Sequence, residues 1–376
     1  MTSYLCPYNI CESLTLKYGA DYLSRMCLCQ LDITSFDIPP QACDHLPKFR
    51  HIYTRPVSMK IIVTLSAYNG SQYIAAQLDS ILSQTTPPHL IIIRDDGSSD
   101  STKVVLAHYA MQYPCIRLVK DNLGNVGIQR SGSILLKAVL AENPDYILYA
   151  DQDDVWLPTK IEKLLAAILV ISHDNMPALV FSDAAVVDEN LALLHPSLRD
   201  LQKLDMPQTH LLKALLLYCP ALGCTMMFNR ALLALMVDIP YANIIPDKWT
   251  LFFAAILGRV AFLPEVTILH RQHSNNVTGA LHGIKRKTLT LKNVRFLRER
   301  YQTALDQACI LRTSVPGLPE REKLIIDQFI ALFVGRYPER MLHYCRFCLA
   351  PPHWKRKLGL FMSLLFRYSK PSTIGI

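Results

Sequence analysis

The sequence has no apolar run of the roughly 18 to 20 residues that a membrane-spanning helix needs. Its two longest apolar stretches are interrupted, by Pro220 and Gly223 within residues 214–228 and by Arg259 within residues 249–263. Both stretches are therefore expected to lie in a protein core. With 51% hydrophobic and 19% charged residues, the chain of 376 residues is also neither disordered nor collagen-like.

The sequence also lacks the features of a disulfide-rich secreted protein. Its eleven cysteines are odd in number and irregular in spacing, and no secretory leader precedes them. We therefore expect a reducing, cytoplasmic compartment. Cys345 and Cys348 have no second pair at zinc spacing, which favours core thiols over a metal site.

Charge is unevenly distributed along the chain. From Ile284 onward, 18 Lys and Arg residues stand against 6 Asp and Glu, whereas the first 283 residues carry 21 against 25. This asymmetry predicts an acid-lined working domain over residues 57–283 and a basic, helical C-terminal region over residues 284–376.

Near the C-terminus, basic and apolar residues adjoin. Trp354 and Lys355–Lys357 precede the apolar Phe361, a combination that would hold the chain on an anionic membrane, at the cytoplasmic face of the inner membrane. A solvated basic helix end is the alternative. At the other end, residues 1–56 carry no identifiable chemistry and are expected to be an N-terminal extension.

From Met59 onward, short apolar runs alternate with segments of helical spacing. Four such alternations predict an α/β fold with a mostly parallel, doubly wound sheet and flanking helices. Ligands bind beyond the carboxyl ends of strands in such sheets, and polar or acidic clusters follow the runs here. The apolar runs are residues 61–65, 90–93, 116–119 and 146–150.

The most informative cluster, Asp151-Gln152-Asp153-Asp154, follows the fourth run. Three carboxylates within four residues repel one another unless a cation lies among them, and oxygen ligands of this kind suit Mg²⁺ or Mn²⁺. A metal-bound diphosphate is the natural partner of such a site. A solvated acidic turn is the alternative, which the position after a buried strand disfavours.

A second cluster, Asp95-Asp96-Gly97-Ser98, follows the second run. A carboxylate there can accept a hydrogen bond from a nucleobase N–H or a ribose hydroxyl, and Gly97 permits a tight turn. Ser98 is explained by helix capping alone. Residues 66–70 follow the first run and would form the other wall of a nucleotide pocket.

These segments occur in the order and spacing found in family 2 glycosyltransferases of the GT-A fold. The sequence resembles that family over about residues 59–279, and within it the rhamnosyltransferase-type enzymes of bacterial surface polysaccharide assembly. Four further segments carry the resemblance: residues 122–127, residues 223–230, Asp247-Lys248-Trp249, and residues 271–276.

The resemblance implies an inverting glycosyltransferase that uses a nucleotide diphosphate sugar, dTDP-rhamnose being one candidate. The acceptor would be a lipid-linked or growing glycan, and no nucleic-acid partner is implied. It also implies that Asp247 is the catalytic base and that Mg²⁺ or Mn²⁺ is held by Asp151, Asp153 and His273. A neutral imidazole at the end of a closing strand can supply a nitrogen ligand.

Other roles also follow from the resemblance, in two groups. The residues expected to contact the nucleotide sugar are Ser66, Ala67, Tyr68, Asn69, Asp95, Asp96, Asp151, Gln152 and Asp153, with Asp95 or Asp96 reading the base. The residues expected on the acceptor or donor-sugar side are Trp156, Gly223, Cys224 and Trp249.

The sequence departs from the family around the proposed base. Related sequences commonly read His-Asp-Trp-Trp, whereas this one reads Pro246-Asp247-Lys248-Trp249. Lys248 can pair with Asp247 and weaken it as a base, or bind donor phosphate instead. An assembly protein that binds nucleotide sugar without turnover therefore stays open as an alternative. Nucleotidyl transfer is disfavoured, because no glycine-rich loop bearing Lys or Arg follows the first strand.

Overall fold

A computed structural model describes most of the chain from Met59 onward. The predicted N-terminal extension, residues 1–56, and the predicted boundary at residues 283 and 284 lie outside the described residues. The described residues are 59–173, 175–204, 211–237, 246–273, 276, 291–315, 317–347, 354–366 and 368.

Nine strands form a single mixed sheet. They are β1 (Ile61–Ala67), β2 (Leu90–Asp95), β3 (Ile116–Leu118), β4 (Tyr146–Ala150), β5 (Val155–Trp156), β6 (Ala178–Val187), β7 (Leu193–His195), β8 (Met226–Asn229) and β9 (Arg259–Arg271). The order across the sheet is β3-β2-β1-β4-β8-β6-β9-β5, and β7 pairs with β6. Strands β1 to β4 pair in parallel, as predicted. Strand β8 runs antiparallel to β4 and β6, whereas β9 runs parallel to β6.

Twelve α-helices lie within the described residues. They are α1 (Ile74–Leu82), α2 (Thr102–Gln112), α3 (Gly127–Ala141), α4 (Lys160–Ile171), α5 (Leu198–Gln202), α6 (Leu211–Leu217), α7 (Arg230–Met236), α8 (Pro246–Leu257), α9 (Leu291–Ser314), α10 (Glu320–Ala331), α11 (Tyr337–Phe347) and α12 (Trp354–Ser363). None of these helices is long and apolar enough to cross a bilayer.

Both faces of the sheet are covered, which is why its central strands are apolar at nearly every position. In β1, Ile62 belongs to one core with α3, while its neighbours Ile61 and Val63 belong to a second core with α1 and α4. Successive side chains of a strand point to opposite faces, so one continuous apolar run supplies both cores.

The C-terminal helices pack onto the domain that holds the sheet. Leu305 of α9, Phe329 of α10 and Leu360 of α12 are buried in the same core as Phe228 of β8. The described part of the basic region is therefore helical, as predicted, and its apolar residues extend the core of the sheet.

Candidate active site

Three polar loops meet at one edge of the sheet. The pairing of β1 with both neighbours sets Ala67 beside Asp95 and Leu65 beside Ala150. Because β1, β2 and β4 are parallel, the segments that follow them emerge side by side. The predicted nucleotide-binding segments are thus brought together by strand register.

Gln152 joins the loop after β4 to the loop after β1. Its Oε1 accepts from the Tyr68 backbone N–H at 2.8 Å, and its Nε2 donates to the Tyr68 carbonyl oxygen at 3.0 Å. A Cβ at Gly70 would lie 2.2 Å from Gln152 Oε1, so a larger residue there would displace the Gln152 amide. The amide of Gln152 therefore fixes the spacing of the two loops.

The other polar residues after β1 bind their neighbours as well. Asn69 has a left-handed backbone at φ 48°; its N–H donates to Ser98 Oγ at 2.9 Å and its Oδ1 accepts from the Ser99 N–H at 2.8 Å. The Ser66 hydroxyl contacts Ser131 Oγ of α3 at 2.6 Å. Ala67 is buried. These contacts shape the wall of the pocket.

Asp95 and Asp96 are adjacent in sequence but differ in their surroundings. Asp95 Oδ2 accepts from the N–H groups of Gly97 and Ser98, both at 3.1 Å, whereas its buried Oδ1 has no hydrogen-bond partner among the described residues. Asp96 is 3% exposed and accepts from the N–H groups of Val126 and Gly127, both at 2.9 Å, at the start of α3. Only Asp95 keeps an acceptor oxygen available to a ligand.

A buried cation, Arg94, organises this loop. It is 1% exposed, pairs with Asp96, and donates from Nε to Asp121 Oδ2 at 2.7 Å and from Nη2 to the Gly124 carbonyl oxygen at 3.1 Å. The guanidinium thereby links the loop after β3 to the loop after β2. The sequence analysis missed Arg94; its place between an apolar strand and two aspartates is the signal that points to it.

The predicted metal ligands Asp153 and His273 are in contact. His273 Nε2 lies 2.8 Å from Asp153 Oδ2, and Asn276 Nδ2 lies 3.4 Å from the same oxygen. The imidazole also packs on Tyr73, with ring centroids 4.8 Å apart. The end of β9 thus meets the loop after β4, from 120 residues away in sequence.

The electrostatics of this loop fit a divalent cation. No described residue donates a hydrogen bond to the Asp151 carboxylate. Although Asp151 is exposed to solvent, desolvation by the surrounding protein, followed by the charges of Asp154 and Asp153, raises its pKa to about 7. Burial and Asp154 also raise the pKa of Asp153. A cation bound between Asp151, Asp153 and His273 would offset this repulsion with the oxygen and nitrogen ligands that Mg²⁺ and Mn²⁺ accept.

A second group of ligand-type side chains lies behind that loop. The ligand atoms of Asp154, Cys224 and His270 are all buried and lie within 4.8 Å of one another. Burial by itself would lower the pKa of His270, but Asp154 Oδ1, 2.9 Å from its Nδ1, outweighs burial and raises that pKa to about 9. His270 Nε2 and Asp154 Oδ2 are buried and have no hydrogen-bond partner among the described residues, so this group is a second candidate cation site beside the first.

Lys160 adds a further positive charge behind the loop. It is 0% exposed, donates from Nζ to the Cys224 carbonyl oxygen at 2.5 Å and lies over the Trp156 ring, 4.6 Å from its centroid. Burial lowers the pKa of Lys160 to about 8. The sequence analysis missed both Lys160 and His270, because only the folded chain brings them beside Asp154.

Asp247, the predicted base, lies in the first turn of α8. Its Oδ2 accepts from the Gly223 N–H at 3.1 Å, and a Cβ at Gly223 would lie 2.8 Å from the Asp247 Cβ. Burial raises the pKa of Asp247, and the charge of Asp247 contributes to the raised pKa of Asp151. The carboxylate is therefore electrostatically part of the same acidic cluster.

The side chains of the two residues that replace the family pattern contact α3 and α9. A Cβ at Gly132 would lie 2.4 Å from Pro246 Cγ, so Pro246 packs on α3 where glycine leaves room. Lys248 donates from Nζ to Gln307 Oε1 of α9 at 2.5 Å. Neither side chain takes the place of the carboxylate.

The residues predicted on the acceptor or donor-sugar side divide into two kinds. Gly223 contacts Asp247 and lies at the site. The side chains of Trp156, Cys224 and Trp249 are buried, Trp249 against Phe252 and Phe253. Those three side chains pack behind the site rather than facing it.

The chain is similar to several known proteins. Residues 62–232 match the family model described as glycosyl transferase family 2. The chain is 28% identical over 240 residues to the dTDP-rhamnosyl transferase RfbG of Shigella flexneri, covering 61% of this chain and 79% of that protein. It is 29% identical over 234 residues to an uncharacterized glycosyltransferase of Rickettsia prowazekii, covering 61% and 68%. Among solved structures, S. aureus TarS 1–349 in complex with UDP-GlcNAc matches with a TM-score of 0.49 and 15% identity, covering 81% of this chain and 90% of that one.

Proposed function

We propose that the chain, whose residues 62–232 match the model of glycosyl transferase family 2, transfers a sugar from a nucleoside diphosphate sugar to a hydroxyl of a lipid-linked or growing glycan, with inversion. One observation carries the proposal. Asp151, which accepts no hydrogen bond from the described residues, shares an acidic cluster with the Asp153–His273 contact and with Asp247.

Asp95 is the carboxylate we assign to the nucleoside. Its Oδ1 is buried and unpaired at the end of β2, and a buried acceptor without a partner costs about 1–3 kcal/mol. A nucleobase N–H or a ribose hydroxyl would satisfy it. Asp96, the other residue named by the resemblance, is occupied by Arg94 and the start of α3. The dTDP-rhamnosyl transferase relative makes dTDP-rhamnose the first donor to test.

The donor diphosphate is proposed to lie against the loop after β4. When bound by Asp151, Asp153 and His273, Mg²⁺ or Mn²⁺ supplies positive charge that offsets the charge developing on the departing diphosphate. Gln152 holds this loop to the loop after β1, and the Asp154–His270 pair supports it from behind. The chain itself thus keeps the cation-binding carboxylates at a fixed distance from Asp95.

Asp247 is proposed to accept the proton of the acceptor hydroxyl. Its pKa is raised by burial, which makes the carboxylate a stronger base. The hydroxyl oxygen attacks the anomeric carbon as the bond to the nucleoside diphosphate breaks on the opposite side. A single displacement inverts the configuration at that carbon.

The experiment combines purified protein with nucleotide sugars and a lipid-linked glycan acceptor, and measures release of nucleoside diphosphate. Release is expected with dTDP-rhamnose in the presence of Mg²⁺ or Mn²⁺ and not with excess chelator. Full activity of Asp153→Ala, or turnover in chelator, would refute the metal role. Normal nucleotide affinity without transfer, in wild type and Asp247→Asn alike, would favour the assembly protein without turnover.

We also propose that the protein works on the cytoplasmic face of the inner membrane, held there by the basic residues of its C-terminal region. The excess of 18 Lys and Arg over 6 Asp and Glu from Ile284 onward supports this. Flotation with anionic liposomes is expected, and it should be lost when residues 351–376 are deleted. Flotation that persists unchanged after the deletion would reject this role.

A further inference from the structure

A cavity lies at the start of α8, the helix that carries the proposed base. Its volume is about 430 Å³, and it is bounded by the end of α6, the first turn of α8 and one face of α9. Lys248, the residue after Asp247, lines it. So does Cys219, whose pKa is raised to about 11 by burial and by the nearby charge of Asp247. The cavity is large enough for a ligand group, and its wall includes Lys248, the neighbour in sequence of the carboxylate that would activate the acceptor.

Two cations face this cavity without a carboxylate partner. Lys248 donates to the neutral Gln307, and Arg300 donates from Nη2 to the Leu217 carbonyl oxygen at 2.9 Å. Among the described residues, no carboxylate oxygen lies within 4.0 Å of the charged nitrogens of either side chain. The one acidic residue of the lining, Glu299, pairs with Arg295 outside the cavity at 2.8 Å.

The two cations also repel each other. Burial lowers the pKa of Lys248 and the charge of Arg300 adds to that lowering, whereas Cys219 and Asp247 act in the opposite direction. An anionic group between them would remove this repulsion. The ammonium is a point charge, and the guanidinium offers further N–H donors in a planar fork, a combination that binds phosphate oxygens.

The rest of the lining is apolar. Leu216, Leu217 and Ala304 form part of the wall, and the ring of Phe296 is 48% exposed at its edge. A ligand that carries an anionic group next to a hydrocarbon chain would match both parts of the cavity. The donor-binding residues Asp95, Asp151, Asp153 and His273 do not line it.

Resting on the proposed function, we propose that Lys248 and Arg300 form an anion-binding subsite for the acceptor, and that they bind the phosphate of a lipid diphosphate-linked glycan beside Asp247. The subsite gives Lys248 a role at the position where related sequences commonly have tryptophan. It fixes the anionic end of the acceptor, so that a sugar hydroxyl reaches Asp247 from the side opposite the donor diphosphate.

The test is calorimetric titration of the full chain with farnesyl diphosphate, in saturating dTDP and Mg²⁺ so that the donor site is filled. Wild type is expected to bind. Lys248→Met and Arg300→Gln should each weaken binding at least tenfold, and Arg300→Lys should recover part of the loss. Arg295→Gln, an exposed arginine of the same helix, is the matched control and should bind as wild type does. Melting temperatures of all variants establish that they are folded.

Three results would overturn the proposal. Equal binding of farnesyl diphosphate by wild type and both variants would exclude the subsite. Equal loss of dTDP affinity in Lys248→Met, measured without farnesyl diphosphate, would assign Lys248 to the donor. Binding of glucuronate but not farnesyl diphosphate would show that the subsite binds an acidic sugar rather than a lipid phosphate. Failure of the proposed function is separate, since it would appear as absent dTDP binding in wild type.

Discussion

Adjacent carboxylates occur both at the end of β2 and in the loop after β4, and in each place one carboxylate is held by buried partners while another is proposed to bind a ligand. After β2, Asp96 is locked by Arg94 and the start of α3, and Asp95 keeps a free oxygen. After β4, Asp154 is locked by His270 and the Arg271 N–H.

The two loops differ in where the neutralising cation comes from. Arg94 lies in β2, two residues before Asp96 in sequence, whereas His270 lies 116 residues from Asp154. The first loop can therefore take its form from a short segment, while the second requires β9 to close the sheet. We infer that ligand affinity at the second loop depends more on the completed fold.

The largest effect is expected for Asp153→Ala in the loop after β4. Loss of a cation-binding carboxylate should lower kcat/KM by about 10³-fold, roughly 4 kcal/mol, because charge on the leaving diphosphate is no longer offset. Steady-state assay of nucleoside diphosphate release measures it. Glu162→Gln, which removes an exposed carboxylate outside the site, is the control. Equal activity of the two variants would contradict the role given to this loop.

Asp247→Asn should lower kcat about 10²-fold with nucleotide affinity unchanged, because only proton acceptance is lost. The pH dependence of the wild-type enzyme gives a second test of this role. Burial raises the pKa of Asp247 and the base works deprotonated, so kcat/KM should fall as pH decreases through a value above the ordinary aspartate pKa of about 3.9. An acid limb that persists in Asp247→Asn would show that another group titrates.

The pair Asp95→Asn and Asp96→Ala separates the two roles within the loop after β2. Asp95→Asn keeps an acceptor for Gly97 and Ser98 but loses charge, and should weaken nucleotide binding about tenfold, roughly 1.4 kcal/mol, with little change in melting temperature. Asp96→Ala should reduce the free energy of unfolding by about 2–3 kcal/mol, because buried Arg94 loses a charged partner. Calorimetry measures nucleotide binding and thermal melting measures stability. If Asp95→Asn mainly lowered stability and Asp96→Ala mainly weakened nucleotide binding, the roles of the two residues would be exchanged.

Gln152→Ala should have the smallest effect. It removes the two hydrogen bonds to Tyr68 that join the loops after β1 and β4, at a cost of about 1 kcal/mol, or a fivefold loss in kcat/KM. Gln112→Ala, an exposed change on α2, is the matched control. If both variants match wild type, the loops keep their spacing without this contact.

Local pattern was enough to predict the first half of the fold. The apolar runs that became β1 to β4 are short and end in turn-forming residues, so strand, loop and acidic cluster could all be located from neighbouring residues. The second half depended on pairing between distant segments. In that half, β6 (Ala178–Val187) pairs with the 13-residue β9 (Arg259–Arg271), which lies far along the chain.

Pro264 explains why β9 was hard to recognise. Proline cannot donate to a strand ladder, and here the β6–β9 pairing shifts register between Ser182 and Asp183, where Leu263 and Val266 are the successive partners. The residues of the candidate site also divide into those that local sequence reveals and those that only the fold reveals. The acidic residues were visible in the sequence, whereas the buried partners His270 and Lys160 became visible only with the fold.

Crystals soaked with dTDP and Mn²⁺ test the central claim most directly, through anomalous scattering from manganese. The account predicts a peak bonded to Asp153 and His273, with Asp151 and the diphosphate beside it and the nucleoside contacting Asp95. A peak at Asp154, Cys224 and His270, or a bound dTDP with no manganese near Asp153, would contradict it.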